Sequence, residues 1–179
     1  VDRRTGAGIL PEESRVAATR LATAAIGQAP TDLEVGLDAA RLLIRAGAAS
    51  DAARVLRSID HPDARALRAD AAIAAGRPEA ALELLAGDDS PLGSLLRGRA
   101  LLASGDPTAA LAQLRAARRG TSAGSDPWWD ATLHLARAQI ALGQLDDARA
   151  LVRTARVLHP VDARRAAHAP LERLHEELQ

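Results

Sequence analysis

The sequence predicts an all-α protein built as a stack of helical hairpins, and three observations carry that expectation. The runs of β-branched or aromatic residues that a strand needs are missing. Apolar residues instead recur every three to four positions, the spacing of one helix face. Four segments turn at a glycine and place an alanine five residues later: Gly47/Ala52, Gly76/Ala81, Gly105/Ala110 and Gly143/Ala148. A glycine ends one helix in a backbone conformation that other residues resist, and the alanine lets the next helix lie close.

The elements follow in order from caps and prolines. TDLE at Thr31–Glu34 reads as a capping box, with the Thr31 hydroxyl serving a free backbone N–H and Glu34 reaching back. Leu33, Leu37, Ala40, Leu43 and Ile44 then mark one helix face as far as Gly47. Ser90-Pro91, Asp106-Pro107 and Asp126-Pro127 each set a capping side chain before a proline at the first helical position, where no N–H is needed. Helices are expected near 11–28, 31–46, 50–58, 62–75, 78–86, 91–104, 107–119, 127–142, 145–158 and 162–178, with Pro170 kinking or splitting the last. The turn glycines lie 29, 29 and 38 residues apart, and the differences fall at hairpin exits, including the Gly/Ser-rich stretch from Arg119 to Pro127.

Composition bounds the function. The 179 residues hold 23 basic groups, all arginine, against 23 acids, so no global field draws in nucleic acid or an anionic membrane. Phe, Tyr, Met, Cys, Lys and Asn are absent, the signature of a GC-rich genome. The core must be made of Ala, Leu, Ile and Val around two tryptophans, which favours thin, closely packed layers. Without cysteine there is no disulfide, thiolate nucleophile or sulfur-ligated zinc. No run of about eighteen apolar residues is present to cross a membrane. Val1 is not an initiator methionine, so the chain reads as a piece of a longer protein.

The unit from Trp129 to Pro160, WDATLHLARAQIALGQLDDARALVRTARVLHP, resembles a tetratricopeptide repeat, a motif of about 34 residues. With Trp129 at its first position, Ala136, Gly143, Ala148, Ala155 and Pro160 fall at the eighth, fifteenth, twentieth, twenty-seventh and thirty-second. The same frame takes in Ala40, Gly47 and Ala52, then Ala69, Gly76 and Ala81, then Gly98, Gly105, Ala110 and Ala117, with Ala18, Ala25 and Pro30 as the second half of a truncated repeat. The chain departs from the pattern at the fourth and eleventh positions, where Gly36, Ser94 and Thr132, and Leu43, Leu101 and Gln139, stand in for larger residues. The resemblance implies a right-handed α-solenoid of four to five hairpins. On this reading residues 1–10 are a disordered or extended segment, 11–162 the repeats, and 163–179 a C-terminal capping helix.

The resemblance also implies a function: a protein-interaction scaffold, part of a larger bacterial protein, holding a partner peptide or domain on the concave face lined by the first helix of each hairpin. The face would carry a floor of Leu37, Leu95, Leu133, Ile44, Ile73, Leu102 and Ile140, with Arg41, Asp70, Arg99 and Arg137 at the ninth positions. Three guanidinium groups over leucines would suit a peptide bearing leucines and a carboxylate. The competing reading is that the leucines pack between helices and the arginines pair with nearby acids. Relatives that grip acidic chaperone tails use lysine and asparagine, which this chain lacks. Trp128 is a further partner-binding candidate, although one tryptophan ring at least should pack inward. The alternative is a structural or oligomerisation module that stacks on a second copy or a neighbouring domain.

Catalysis and metal binding are not expected. Glu172 and His175 form one E-x-x-H pair without the second that a di-iron site needs, and the H-E-x-x-H zinc spacing is missing. His61, His134, His159 and His168 are scattered. No G-x-S-x-G elbow, P-loop or G-x-G-x-x-G is present, so neither an enzyme nor a cofactor is anticipated. Partners are expected to be proteins, with no nucleic acid and no membrane insertion; self-association stays open.

Overall fold

The computed structural model describes residues 12–28, 32–159 and 169–178. Ten helices are present among them and no strand. They are α1 (Glu12–Gln28), α2 (Leu33–Arg45), α3 (Ala49–Leu56), α4 (Pro62–Ala74), α5 (Pro78–Leu84), α6 (Pro91–Ala103), α7 (Pro107–Arg119), α8 (Asp126–Ala141), α9 (Leu145–Leu158) and α10 (Ala169–Glu177). The chain divides into two compact units, Val1–Ala86 and Gly87–Gln179. The expected N-terminal segment 1–10, Pro30, Pro160 and the first part of the expected 162–178 helix lie outside the described residues.

The glycine turns are four copies of one hydrogen-bonded device. Gly47, Gly76, Gly105 and Gly143 all adopt positive φ, between 70° and 87°. The N–H of each glycine bonds to the carbonyl three residues back, and the N–H of the next residue bonds to the carbonyl five back, as in Ala48 N to Leu43 O at 2.8 Å and Gln144 N to Gln139 O at 2.8 Å. This pairing is the Schellman motif, which satisfies carbonyls left open at a helix end. The alanines five residues on, Ala52, Ala81, Ala110 and Ala148, are fully buried. So are Ala40, Ala69 and Ala136 at the matching sites of the first helices, where Gly98 completes the row.

Two caps sit one residue away from their expected places. Asp32 caps α2 by accepting from the N–H groups of Glu34 and Val35, whereas Thr31 lies outside the described residues. Ser125 rather than Asp126 caps α8, accepting from Trp128 N, and Pro127 becomes the second helical residue. In each case neighbouring residues both carry capping oxygens, and the backbone that reaches extended φ and ψ takes the role. Ser90 and Asp106 cap α6 and α7 as expected.

Within the first unit α2 packs on α1, α3 and α4, with α5 against α4. Its core gathers Leu37, Leu43 and Leu56 around Ala22, Ala40, Ala52 and Ala64. Within the second unit each helix packs on the next, and α8 additionally meets α6 and α10. Among the described residues α7 and α9 do not meet. α6 therefore adjoins α8, and α10 adjoins both α8 and α9. This stacking of hairpins in sequence order is a helical-repeat solenoid.

Helix α8 is the centre of the second unit. Its Leu135 and Ala138 join Leu95 of α6 and Leu111 and Leu114 of α7. Its Trp128, Trp129 and Leu133 join Val152 of α9 and Leu171, Leu174 and Leu178 from α10 and its end. Polar links fix the seams: Arg97 Nε donates to Gln113 Oε1 at 3.1 Å between α6 and α7. Arg156 makes two 2.9 Å bonds to the Glu172 carboxylate, tying α9 to α10, and Arg149 Nε donates to Leu178 O at 2.7 Å.

Candidate functional site

The residues expected to form a binding face divide into a buried set and a polar set. Leu95 and Leu133 are 4% and 6% exposed and belong to the cores on either side of α8. Ile140 is partly buried against the same core. Trp128 is 5% exposed and Trp129 2%, their rings edge to face with centroids 4.9 Å apart. Leu95, Leu133 and Trp128 are thus interior, whereas Ile44, Ile73, Leu102 and Ile140 stay partly exposed. In a protein with two aromatic residues both rings are drawn into the core, where each removes more apolar area from water than any other side chain here.

Trp128 is enclosed by three partners. The Arg118 guanidinium lies 4.4 Å from a Trp128 ring centroid, a cation–π contact from α7. The His159 ring stands edge to face at 5.0 Å. Arg118 Nε also donates to Thr132 Oγ1 at 3.0 Å, and the Thr132 hydroxyl donates to Trp128 O at 2.8 Å. Burial pulls the Arg118 pKa below its usual value.

The polar set is assembled by α6 and α8. Asp130, His134 and Arg137 occupy successive turns of α8, and Arg99 comes from α6. His134 Nε2 lies 3.3 Å from Asp130 Oδ1; the two side chains are 15% and 42% exposed. Burial lowers the His134 pKa from 6.5, the charge of Arg99 and, more weakly, Arg137 lowers it further, and Asp130 opposes both without reversing the result. For Asp130 burial alone would raise the pKa, but the hydrogen bond and charge of His134 with the guanidinium groups of Arg99 and Arg137 outweigh it. The Arg137 pKa is lowered by burial first, then modulated by Asp130, Arg99, Glu177 and Arg173. A carboxylate, a neutral imidazole and two guanidinium groups thus share one face of the second unit.

Sequence reasoning located Arg99 and Arg137 as ninth-position equivalents, set His134 aside as one of several scattered histidines, and did not single out Asp130. The signal for them was present: an acid and a histidine four residues apart share one helix face, and Arg137 follows one turn on. Arg41, in the first unit, pairs with Asp38 of its own helix at 2.7 Å. The Glu172 carboxylate of the E-x-x-H pair is occupied by Arg156. Among the described residues no three His, Asp or Glu side chains converge as metal ligands, and no helix is long and apolar enough to cross a membrane.

The family model of the tetratricopeptide repeat matches residues 101–169, from the end of α6 to the first residue of α10. No curated protein and no solved structure matches the chain. Repeats of this family form a non-catalytic scaffold and mediate protein–protein interaction. The matched segment holds two of the glycine turns, at Gly105 and Gly143, together with the buried alanines that follow them. Residues 101–169 are thus similar to the tetratricopeptide repeat family.

Proposed function

We propose that the chain is a protein-binding scaffold that holds a partner against the first-helix face of its second unit, with Arg99 and Arg137 making the principal contacts. The observation that carries this reading is the charged cluster on α6 and α8. Leu95 of α6 and Leu133 of α8 are buried, while Asp130 acts electrostatically on His134, Arg99 and Arg137, so charged and imidazole groups rather than these two leucines would meet a partner. Such a surface selects by charge and by the geometry of its hydrogen bonds. Rigid helices fix the spacing of these groups before a partner arrives, which lowers the ordering cost of binding.

The test is charge reversal on the folded chain. A partner identified with the wild-type protein is titrated against the double variant Arg99→Glu/Arg137→Glu by calorimetry, with circular dichroism confirming the fold. Affinity should fall at least tenfold, because attraction becomes repulsion at two positions. A partner that binds the double variant as tightly as wild type removes this face from consideration.

A further inference from the structure

We propose that α1 docks a helix of a partner protein: the stripe of Ala17, Leu21 and Ala24 takes the apolar face of that helix, and Asp38 of α2 takes a basic residue at its edge. This surface belongs to the first unit and is independent of the face proposed on α6 and α8.

In the repeat frame α1 is a second helix, with Ala18 and Ala25 at the twentieth and twenty-seventh positions. The second helices α3, α7 and α9 each lie between two first helices, whereas among the described residues α1 packs on α2 alone. The side of a second helix that meets its own first helix is marked in the second unit. Gln113 Oε1, at the twenty-third position of α7, accepts from Arg97 of α6 at 3.1 Å, and Leu114 beside it lies against Gly98. The other side meets the following first helix: Arg118 and Arg156, both at the twenty-eighth position, donate to Thr132 and Glu172. The same rule holds in α1, where Ile26 at the twenty-eighth position packs on the core shared with α2. Leu21, at the twenty-third, therefore stands on the side where a first helix packs.

That side of α1 is open. The twenty-third position is half-buried in each complete hairpin, as Val55, Leu84, Gln113 and Leu151, while Leu21 is 65% exposed and Val16 45%. Ala17 and Ala24, one turn to either side of Leu21, are exposed as well, whereas Ala109 and Ala116 at their positions in α7 are half-buried. A leucine flanked by alanines is the surface on which a second helix packs closely, while the uncovered end of a helical stack is ordinarily polar.

The adjoining edge of α2 sets the partner's charge. The sixth position of a first helix faces the hairpin before it, as Leu67 of α4 does in packing on the core of the first unit. In α2 that position is Asp38, 72% exposed and paired within its own helix to Arg41. A helix seated on Leu21 passes this carboxylate, which favours a basic residue there. One helix covering about three turns is a small interface, so the expected dissociation constant is on the order of 10 to 100 μM.

The experiment titrates the whole chain into a fluorescein-labelled synthetic peptide copying Ser90–Ser104, a first helix with its own cap and with arginines at Arg97 and Arg99. Anisotropy should rise with that dissociation constant, and a scrambled peptide should not bind. Leu21→Glu should weaken binding at least tenfold, because an apolar contact gives way to a charge forced under the docked helix. The site is exposed, so the fold should persist, which circular dichroism checks. Leu158→Glu, at a leucine of α9 that is 67% exposed, should leave binding unchanged. Asp38→Asn, or glutamine in place of both peptide arginines, should weaken it about two- to fivefold.

Absence of binding to the peptide, or binding that Leu21→Glu leaves untouched, overturns the docking site. Equal losses in Leu21→Glu and Leu158→Glu mean general apolar adhesion and overturn it as well. Indifference both to Asp38→Asn and to the peptide's charge overturns the basic partner alone. Sedimentation of the chain by itself should give a monomer; a dimer abolished by Leu21→Glu would make a second copy the occupant and overturn the partner helix.

Discussion

Gly98→Ala tests what holds the helices of the second unit together. Ordinarily an alanine in place of a helical glycine stabilises by about 1 kcal/mol. Here a Cβ on residue 98 would stand 2.5 Å from Leu114 Cγ and 2.7 Å from Leu114 Cδ2. The obstacle is the branch carbon of a side chain that is fully buried, so it cannot swing aside. Relieving the overlap means shifting α7 or forcing Leu114 off its rotamer, at about 1–3 kcal/mol. The two effects oppose, and the net is a loss of about 0–2 kcal/mol. Leu114→Ala alone should cost about 2–5 kcal/mol through the cavity it leaves. In that background the obstacle is gone, and Gly98→Ala should recover its ordinary gain of about 1 kcal/mol. The double-mutant cycle should therefore show a favourable coupling of about 1–3 kcal/mol. Both tryptophans lie in the second unit, so urea unfolding followed by their fluorescence reports on it selectively. Gly105→Ala serves as contrast: with φ at +87° and nothing within 4 Å, it should cost about 1 kcal/mol in strain alone and be indifferent to Leu114. A Gly98→Ala variant that stabilises equally with and without Leu114 would refute the argument that close approach of α6 and α7 depends on a missing Cβ.

Two further outcomes follow from the polar seams. Arg156→Gln removes the two-bond link to Glu172, whose side chains are 32% and 28% exposed, and should cost about 1 kcal/mol after screening. Hydrogen exchange should show α10 amides opening several-fold faster; unchanged protection there would mean that Leu171 and Leu174 hold the helix without the ion pair. The second outcome concerns pH. Because the folded state holds the His134 pKa below 6.5, the unfolded chain binds more protons as pH falls from that value, and stability declines toward the folded pKa. Asp130, also lowered, adds its own loss below 3.8. Tryptophan-monitored melts at about pH 7.5 and 5.0 should show the decline, reduced in His134→Gln; an equal decline in that variant would mean that the buried imidazole contributes nothing to it.

The glycine turns were legible in the sequence because their cause is local: a left-handed backbone position admits little but glycine, whatever the rest of the chain does. Prolines at helix starts were legible for the same reason. Caps were legible only to within a residue, since Thr31 and Asp32, or Ser125 and Asp126, carry equivalent oxygens and the choice falls to the path of the backbone. The inward turn of Leu95 and Leu133 was one of two readings open in the sequence, packing between helices against lining a face, and the helical repeat alone did not choose between them. It depends on α8 being surrounded by four other helices, so that position five of each first helix meets a neighbour instead of an open face. His134 was set aside with the other histidines because its surroundings combine a spacing of four along α8 with the charge of an arginine on α6, and the second contribution is set by how the hairpins stack.

The four closed turns also govern where this chain can accept new sequence. In each, the residue after the glycine both completes the hydrogen-bonded turn and stands as the cap position of the next helix, so no residue is left over at a hairpin tip. An insertion there would break two bonds and misplace a fully buried alanine five residues on. The segment between α7 and α8 is held by a single turn bond, Ser125 N to Ser122 O at 3.0 Å, and its Ser122 and Ala123 are both exposed. A loop, tag or crosslinking peptide grafted between those two residues should leave the hairpins in register, and length differences among natural variants of this chain should collect there rather than at the tips.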